Sequence, residues 1–290
     1  MSPVALLLGG LALVIAVFVA TWVQSARRGH SHQTPTPVQL GLGAVTLFFD
    51  TLGIGNYAPT TAIFRFLRMV PDEHIPGTLN VGSSVPVAFE AFAFVTAVAV
   101  DPLTLGLMVP VGALGGYVGA AIVSRLPRRA IQIGMALALV AGAVFMTVTN
   151  LGWIPGGGDV LGFTGGTLVA ATLLNFVFCG FNALGIGSYA PTLVMFSLMG
   201  MDPRLAFPIM ASACAFLMPT TGFRFIQAER IDLKVILGMA LGGIPAVLVA
   251  AYVVRELDVV VLRWGVVVVV LYASLLLLRS AVAGEKQAAA

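Results

Sequence analysis

Two nonapeptides in this sequence place polar side chains among residues that interrupt a helix. LGIGNYAPT occupies residues 52–60 and LGIGSYAPT occupies residues 184–192, so the two copies differ only at Asn56 and Ser188. Asparagine and serine side chains donate hydrogen bonds, and a helix that begins near the APT triplet offers unpaired amides and the positive end of its dipole. Two such sets of donors facing one cavity would bind a small oxyanion.

The remaining residues of the two motifs are candidates for the same site. Glycine permits unusual backbone angles, the tyrosine hydroxyls can donate, and the threonines could help to satisfy the start of the second half-helix. The alternatives are structural: local backbone capping for Asn56 and Ser188, cavity walls for the tyrosines, and close helix packing for the glycines. The candidate substrate-binding residues of the motifs are Gly53, Gly55, Asn56, Tyr57, Thr60, Gly185, Gly187, Ser188, Tyr189 and Thr192.

Four polar residues that follow the motifs are further substrate-binding candidates. Asn80 and Ser84 are four residues apart and share one helix face, and Ser212 is the counterpart of Asn80 in the second copy. Arg224 carries a guanidinium fork that could attract an oxyanion. As alternatives, asparagine and serine also join transmembrane helices to each other, and a flanking arginine can extend to the membrane surface.

Two acidic residues could couple transport to protons. Glu90 is the only acid well inside a predicted crossing helix, and Asp50 precedes the first motif. Ionisable groups within a membrane are costly and are therefore functional candidates. A structural salt bridge to Arg65 or Arg224 is the competing interpretation. The same acids would also suit a cation/proton antiporter, although Asn182 replaces Asp50 in the second copy.

The composition is that of an integral membrane protein. Of 290 residues, 59% are hydrophobic and 9% are charged, against about one quarter charged residues in soluble domains. We expect no nucleic-acid partner, since basic residues of membrane proteins usually report orientation. We also expect no cofactor, no metal and no enzymatic activity, because the sequence has no nucleotide-binding motif or catalytic constellation, and His30 and His32 alone are weak evidence for a metal. Cys179 and Cys214 are interpreted as small buried side chains.

The chain is an internal duplication preceded by one extra helix. The offset of 132 positions between the motifs recurs at other places, which divides the chain into an N-terminal transmembrane helix at 1–29, a first repeat at 37–151 and a second repeat at 162–281. The matching pairs are Phe49 with Phe181, Phe64 with Phe196, Met69 with Met201, Pro71 with Pro203 and Pro76 with Pro208.

The distribution of basic residues predicts how these segments cross the membrane. The first helix is expected at 3–23, broken segments at 38–69 and 166–201, and crossing helices at 76–99, 102–124, 130–149, 204–223, 233–254 and 258–278. If each broken segment is a re-entrant hairpin, twelve of fifteen lysines and arginines lie inside, as the positive-inside rule requires. The predicted fold is therefore an all-α membrane protein of two inverted repeats, each with a broken segment and three transmembrane helices.

These features resemble the sulfite exporter TauE/SafE family of membrane permeases. The resemblance rests on GIGNYAPT and GIGSYAPT, on the helix PGTLNVGSSVPVAFEAFAF and on its counterpart PIMASACAFLMPTTGFRF. It implies secondary transport of sulfite, sulfoacetate or related organosulfonates. We accordingly expect a multi-pass protein of the bacterial inner membrane that contacts the lipid bilayer and a small anionic substrate and could form a homodimer. The helix at 3–23 is interpreted as an addition to the family's duplicated core.

Overall fold

Helices are the only regular elements over the residues that the computed structural model describes, which are 3–28, 34–53, 55–71, 73–123, 128–153, 160–181 and 188–288. A single parallel bridge joins Val160 to Met201, and the described residues contain no strand. The helices in chain order are α1 (Pro3–Arg28), α2 (Pro37–Thr51), α3 (Tyr57–Phe66), α4 (Ile75–Ala97), α5 (Pro102–Val123), α6 (Arg128–Asn150), α7 (Gly165–Phe181), α8 (Tyr189–Leu198), α9 (Pro203–Gln227), α10 (Leu233–Glu256) and α11 (Val259–Ala288).

The predicted all-helical class is confirmed, and the helices lie where the sequence places them. Each of the six helices expected after the motifs begins within two residues of its predicted start. Both segments predicted to be broken consist of two helices, α2 with α3 and α7 with α8. The last helix continues to Ala288, ten residues beyond the expected end at 278, because the chain after the apolar run still favours helix.

Five helices are long and apolar enough to cross a membrane within the described residues, namely α1, α4, α9, α10 and α11. Shorter apolar stretches occur at 102–118 in α5 and at 132–148 in α6. Helices α4 and α9 are buried along most of their lengths, whereas only a small share of α1 and of α11 is buried. The long α4 and α9 are therefore the centre of the bundle.

Helix starts are fixed by local capping at the polar ends of the bundle. Thr36 and Gln39 form a capping box for α2, in which the Thr36 amide donates to Gln39 Oε1 at 2.8 Å. Asp202 caps α9 ahead of Pro203, and Asp232 caps α10 by accepting from the Val235 amide at 3.0 Å. These caps set the register in which the apolar helices enter the bundle.

The central helices α4 and α9 pack against each other in opposite directions. Gly77 near the start of α4 lies against Phe225 near the end of α9, and Asn80 one turn later lies against Gly222. Around this pair, α10 packs on α2 and α4, α5 packs on α7 and α9, and α6 packs on α11. The short helices are thus enclosed by long ones rather than left at the edge of the bundle.

Glycines allow two of these helix pairs to approach closely. A side chain at Gly43 of α2 would meet the backbone of Met239 in α10, and one at Gly115 of α5 would meet the backbone of Phe176 in α7. Gly115 belongs to an ALGG tetrapeptide at 113–116 that recurs at 240–243 in α10, where a side chain at Gly242 would meet the Leu40 backbone of α2. Small residues that bring backbones together are typical of helix packing in membranes.

The close contact at Gly43 can be tested against a neighbouring glycine on the same helix. In Gly43→Ala the new methyl group would lie 2.5 Å from Met239 Cα, so we expect a loss of about 1–3 kcal/mol in the free energy of unfolding. Gly41 has no atom within 4 Å of a Cβ, so Gly41→Ala should be neutral or stabilising, since alanine favours helix by about 1 kcal/mol. Thermal unfolding in detergent measures both, and equal midpoints would contradict the packing described.

Candidate functional site

The first motif ends one helix and begins the next through a turn held by Asp50. Gly53 and Gly55 have φ angles of 93° and 83°, a region that favours glycine. The Gly53 amide donates to the Asp50 carbonyl at 2.8 Å, and the Asn56 amide donates to the Asp50 carboxylate at 3.0 Å. The carboxylate of Asp50 therefore pairs backbone that the break in the helix would otherwise leave unsatisfied.

Asn56 and Tyr57 connect the start of α3 to the central helix α4. Asn56 Nδ2 donates to the Ser83 hydroxyl at 2.8 Å, and Asn80 Nδ2 donates to the Tyr57 hydroxyl at 3.4 Å. The Asn56 side chain makes no capping bond to α3, so the first amides of this helix are not used by its own N-cap. The candidates Asn56, Tyr57 and Asn80 are thus brought together.

The second motif is described from Ser188 onward, and Gly185, Gly187 and Asn182 lie outside the described residues. Helix α8 begins at Tyr189, and the Ser188 side chain makes no capping bond. Instead the Ser188 hydroxyl lies 3.9 Å from Cys214 Sγ on α9. In both motifs the polar residue before the second helix therefore turns toward a polar group of the following long helix, and Thr192 is buried beside it.

The Glu90 carboxylate joins the end of α2, just before the first motif, to the second motif. The Thr51 hydroxyl, at the end of α2, donates to Glu90 Oε2 at 3.1 Å, and the Tyr189 hydroxyl, at the start of α8, donates to Glu90 Oε1 at 3.1 Å. The turn at Gly53 also faces Leu193 of α8, which would be 3.5 Å from a Cβ at this position. The two broken segments consequently approach each other, with α4 between them.

Four buried side-chain atoms near the motifs have no hydrogen-bond partner. Buried polar atoms are nearly always paired, so these orphans in the described chain require an explanation. Three of them lie around the start of α3 and the facing turn of α4, where a small polar ligand would supply the missing bonds. Ser212 lies farther along α9, ten residues before the Gly222 that faces Asn80. The atoms are Asn56 Oδ1, Thr60 Oγ1, Asn80 Oδ1 and Ser212 Oγ.

The structure leaves two candidates out of this cluster. Ser84 donates to the Asn80 carbonyl of its own helix at 2.8 Å, which satisfies its hydroxyl locally. Arg224 is exposed and donates to the Tyr117 hydroxyl at 2.7 Å, with its guanidinium 4.9 Å from the Tyr117 ring centre. A salt bridge to Arg224 was the competing interpretation of Asp50 and Glu90, and Arg224 instead contacts Tyr117.

Thr51 and Cys214 contact site residues but were not predicted to do so. Because Thr51 is the next residue after Asp50, its position beside the site could have been expected from the sequence. Cys214 lies 26 positions after Ser188, close to the 27 positions that separate Asn56 from Ser83, so the duplication itself contained this signal. The buried environment predicted for both cysteines is confirmed.

Replacement of Thr60 distinguishes a ligand-facing hydroxyl from a structural one. Thr60→Val removes a hydroxyl without a protein partner and keeps the shape, so we expect unchanged or higher stability together with at least tenfold lower transport. Thr46→Val is the control, because the buried Thr46 hydroxyl donates to the Leu42 carbonyl at 2.8 Å and faces no orphan atom. Thermal unfolding and uptake by proteoliposomes report the two effects, and full activity of Thr60→Val would remove Thr60 from the site.

Comparison with known proteins connects this site to a family of permeases. The family model described as Sulfite exporter TauE/SafE matches residues 2–146, which contain α1, the first motif and the acids Asp50 and Glu90. No curated protein and no solved structure matches the chain. The match begins at residue 2 and therefore includes the first helix. The chain belongs to the sulfite exporter TauE/SafE family, a family of membrane transporters.

Proposed function

We propose that the chain is a secondary transporter of small sulfur-containing anions, such as sulfite, sulfoacetate or related organosulfonates, in the bacterial inner membrane. The observation that carries the proposal is the group of unpartnered, buried polar atoms at the helix break, in a chain of a sulfite exporter family. Substrate-sized polar ligands bind where a few polar groups converge within apolar walls. The family match gives no support to the cation/proton antiporter considered above.

The hydrogen-bond donors of this site could replace the hydration shell of a bound oxyanion. Helices α3 and α8 both start without a side-chain cap, so their first amides remain available to a ligand. Asn56 and Asn80 are bonded to the hydroxyls of Ser83 and Tyr57, which can either donate or accept. Rotation of each amide would therefore keep the bond to the hydroxyl and turn an NH₂ group toward an anion.

We further propose that the two halves are inverted repeats that expose the site alternately to the two sides of the membrane. The equivalent helices α4 and α9 run in opposite directions, as inversion of one half requires. The pairing of α2 with α10 has its counterpart in the pairing of α7 with α5. Inverted-repeat transporters bind their substrates between such halves, at the ends of broken helices.

We propose that the two acids at the helix break couple transport to protons. The Asp50 carboxylate accepts from the Asn56 amide, and the Glu90 carboxylate accepts from the Thr51 and Tyr189 hydroxyls, so both acids lie beside the broken segments. Two carboxylates and an anion repel one another at close range, so binding of the anion favours protonation of an acid. A tyrosine hydroxyl has one hydrogen, and Tyr189 gives it to Glu90. When Glu90 takes up a proton it can donate to Tyr189, whose own hydrogen then becomes available to the anion.

Uptake by proteoliposomes tests the substrate class. We expect sulfite, thiosulfate or sulfoacetate to be transported in preference to acetate, and Asn56→Ala and Ser188→Ala to lower that transport at least tenfold while the protein remains folded. Ser197→Ala is the matched control on α8, because its hydroxyl bonds only to the Leu193 carbonyl of its own helix. Sodium or proton movement without any anion would favour the antiporter instead.

The pH profile of Glu90→Gln tests proton coupling separately. Wild-type uptake should increase as the external pH falls, since protonation of Glu90 releases the Tyr189 hydrogen for the anion. Glutamine is permanently neutral, so uptake by Glu90→Gln should change little with pH and should no longer respond to an imposed proton gradient. Glu256→Gln, an exposed acid at the end of α10, should keep the wild-type profile. An unaltered profile in Glu90→Gln would exclude this residue from coupling.

A further inference from the structure

We infer that a groove between α1, α5 and α9 binds an anionic phospholipid, with an acyl chain in the groove and the phosphate on Arg224. This site is separate from the transport site, and the inference does not depend on the proposed substrate. The inference rests on two features: an apolar groove that the proposed transport mechanism does not use, and an exposed arginine that lies outside the polar cluster.

The groove is a continuous apolar channel that runs along one side of the bundle. It has a volume of about 630 Å³ and is lined by three helices, with Leu7 of α1, Val109 of α5 and Phe216 of α9 among its walls. Leu6 and Leu114 also line it and are more than half exposed, so the groove opens to the outside of the bundle. Its surface has almost no polar group to bind a small inorganic anion.

The groove is longer than the hydrocarbon thickness of one leaflet. Its α5 wall extends from Pro102 to Tyr117, and at about 1.5 Å per residue this is about 22 Å. One leaflet contributes about half of the roughly 30 Å hydrocarbon core of a bilayer. A chain inserted from one membrane surface would therefore be covered along its whole length by the protein.

At the Tyr117 end of the groove, a lining residue contacts a cation. Arg224 donates to the Tyr117 hydroxyl and stacks over the Tyr117 ring, and Thr220 lines the groove one turn earlier on α9. A guanidinium has five N–H donors, so most remain available after the bond to Tyr117. Arginine binds phosphate through paired donors, and tyrosine is enriched at the level of lipid headgroups.

These features together favour an anionic phospholipid over a second copy of the chain. A cation at one end of a narrow apolar channel complements a molecule with a negative head and a long apolar tail. A protein partner would instead bury a wide surface. The first helix gains a role from this arrangement, because residues of α1 form the wall that closes the groove against α5 and α9.

Native mass spectrometry of the full chain, with phosphatidylglycerol or phosphatidylcholine added in detergent, tests the inference. We expect the wild type to retain phosphatidylglycerol at least fivefold better than phosphatidylcholine. Arg224→Gln should remove this preference. Gly106→Phe should reduce retention of both lipids, because Gly106 lines the groove and has no atom within 4 Å of a Cβ, so the ring would fill the channel.

Arg255→Gln is the control, since Arg255 is an exposed arginine on α10 beside Glu256 and away from the groove. It should retain phosphatidylglycerol like the wild type. Equal retention of the two lipids by the wild type, or unchanged retention in both Arg224→Gln and Gly106→Phe, would overturn the inference. A dimer that Gly106→Phe dissociates would overturn it too, since the occupant would then be a second copy. Thermal unfolding of each variant separates these results from misfolding.

Discussion

Backbone polar groups inside a membrane must be paired, and this constraint governs the architecture of the chain. A break in a helix at membrane depth is tolerated only where protein or a polar cavity surrounds it. Here the break after Thr51 is enclosed by α4, α8 and α11, and the Asp50 carboxylate accepts from the Asn56 amide across the turn. The long helices α4 and α9 are buried because they must cover these interruptions as well as pack against each other.

The same constraint explains why the polar residues form one connected cluster. The Asn56–Ser83 bond and the Ser188–Cys214 contact attach each short helix to its neighbouring long helix, while Glu90 attaches both short-helix regions to α4. Each of these groups is buried, so each bond is formed in surroundings where an unmade bond is costly. Among the unpaired atoms of the described chain, Asn56 Oδ1, Thr60 Oγ1 and Asn80 Oδ1 adjoin this network, where a ligand would complete it.

The sequence predicts the helices well because apolar length, proline and glycine act locally. The duplicated motif also identified Asn56, Ser188, Tyr189 and the glycines of the turn. It could not place Arg224, because a flanking arginine on α9 reaches either a cavity or the membrane surface depending on its neighbours. Only the packing of α5 beside α9 brings Tyr117 within reach and draws the guanidinium outward.

Other features escaped sequence reasoning because they arise from contacts between distant helices. The Thr51 hydroxyl reaches Glu90 across 39 positions, and Tyr189 reaches it across 99. The repeated ALGG tetrapeptide was visible in the sequence, but its meaning depends on which helix faces it. Close packing of α2 and α7 onto these glycines brings the broken segments into the centre of the bundle.

The two acids of the cluster have a consequence for the balance between conformations. Both belong to the first half, and at the offset of 132 positions their counterparts are the uncharged Asn182 and Gly222. An exchange of roles between perfectly matched halves would produce two states of equal energy. With both carboxyls of the cluster on one half, the inward-open and outward-open forms that we propose would have different electrostatic energies, so the resting orientation of the empty carrier would be biased by its own sequence.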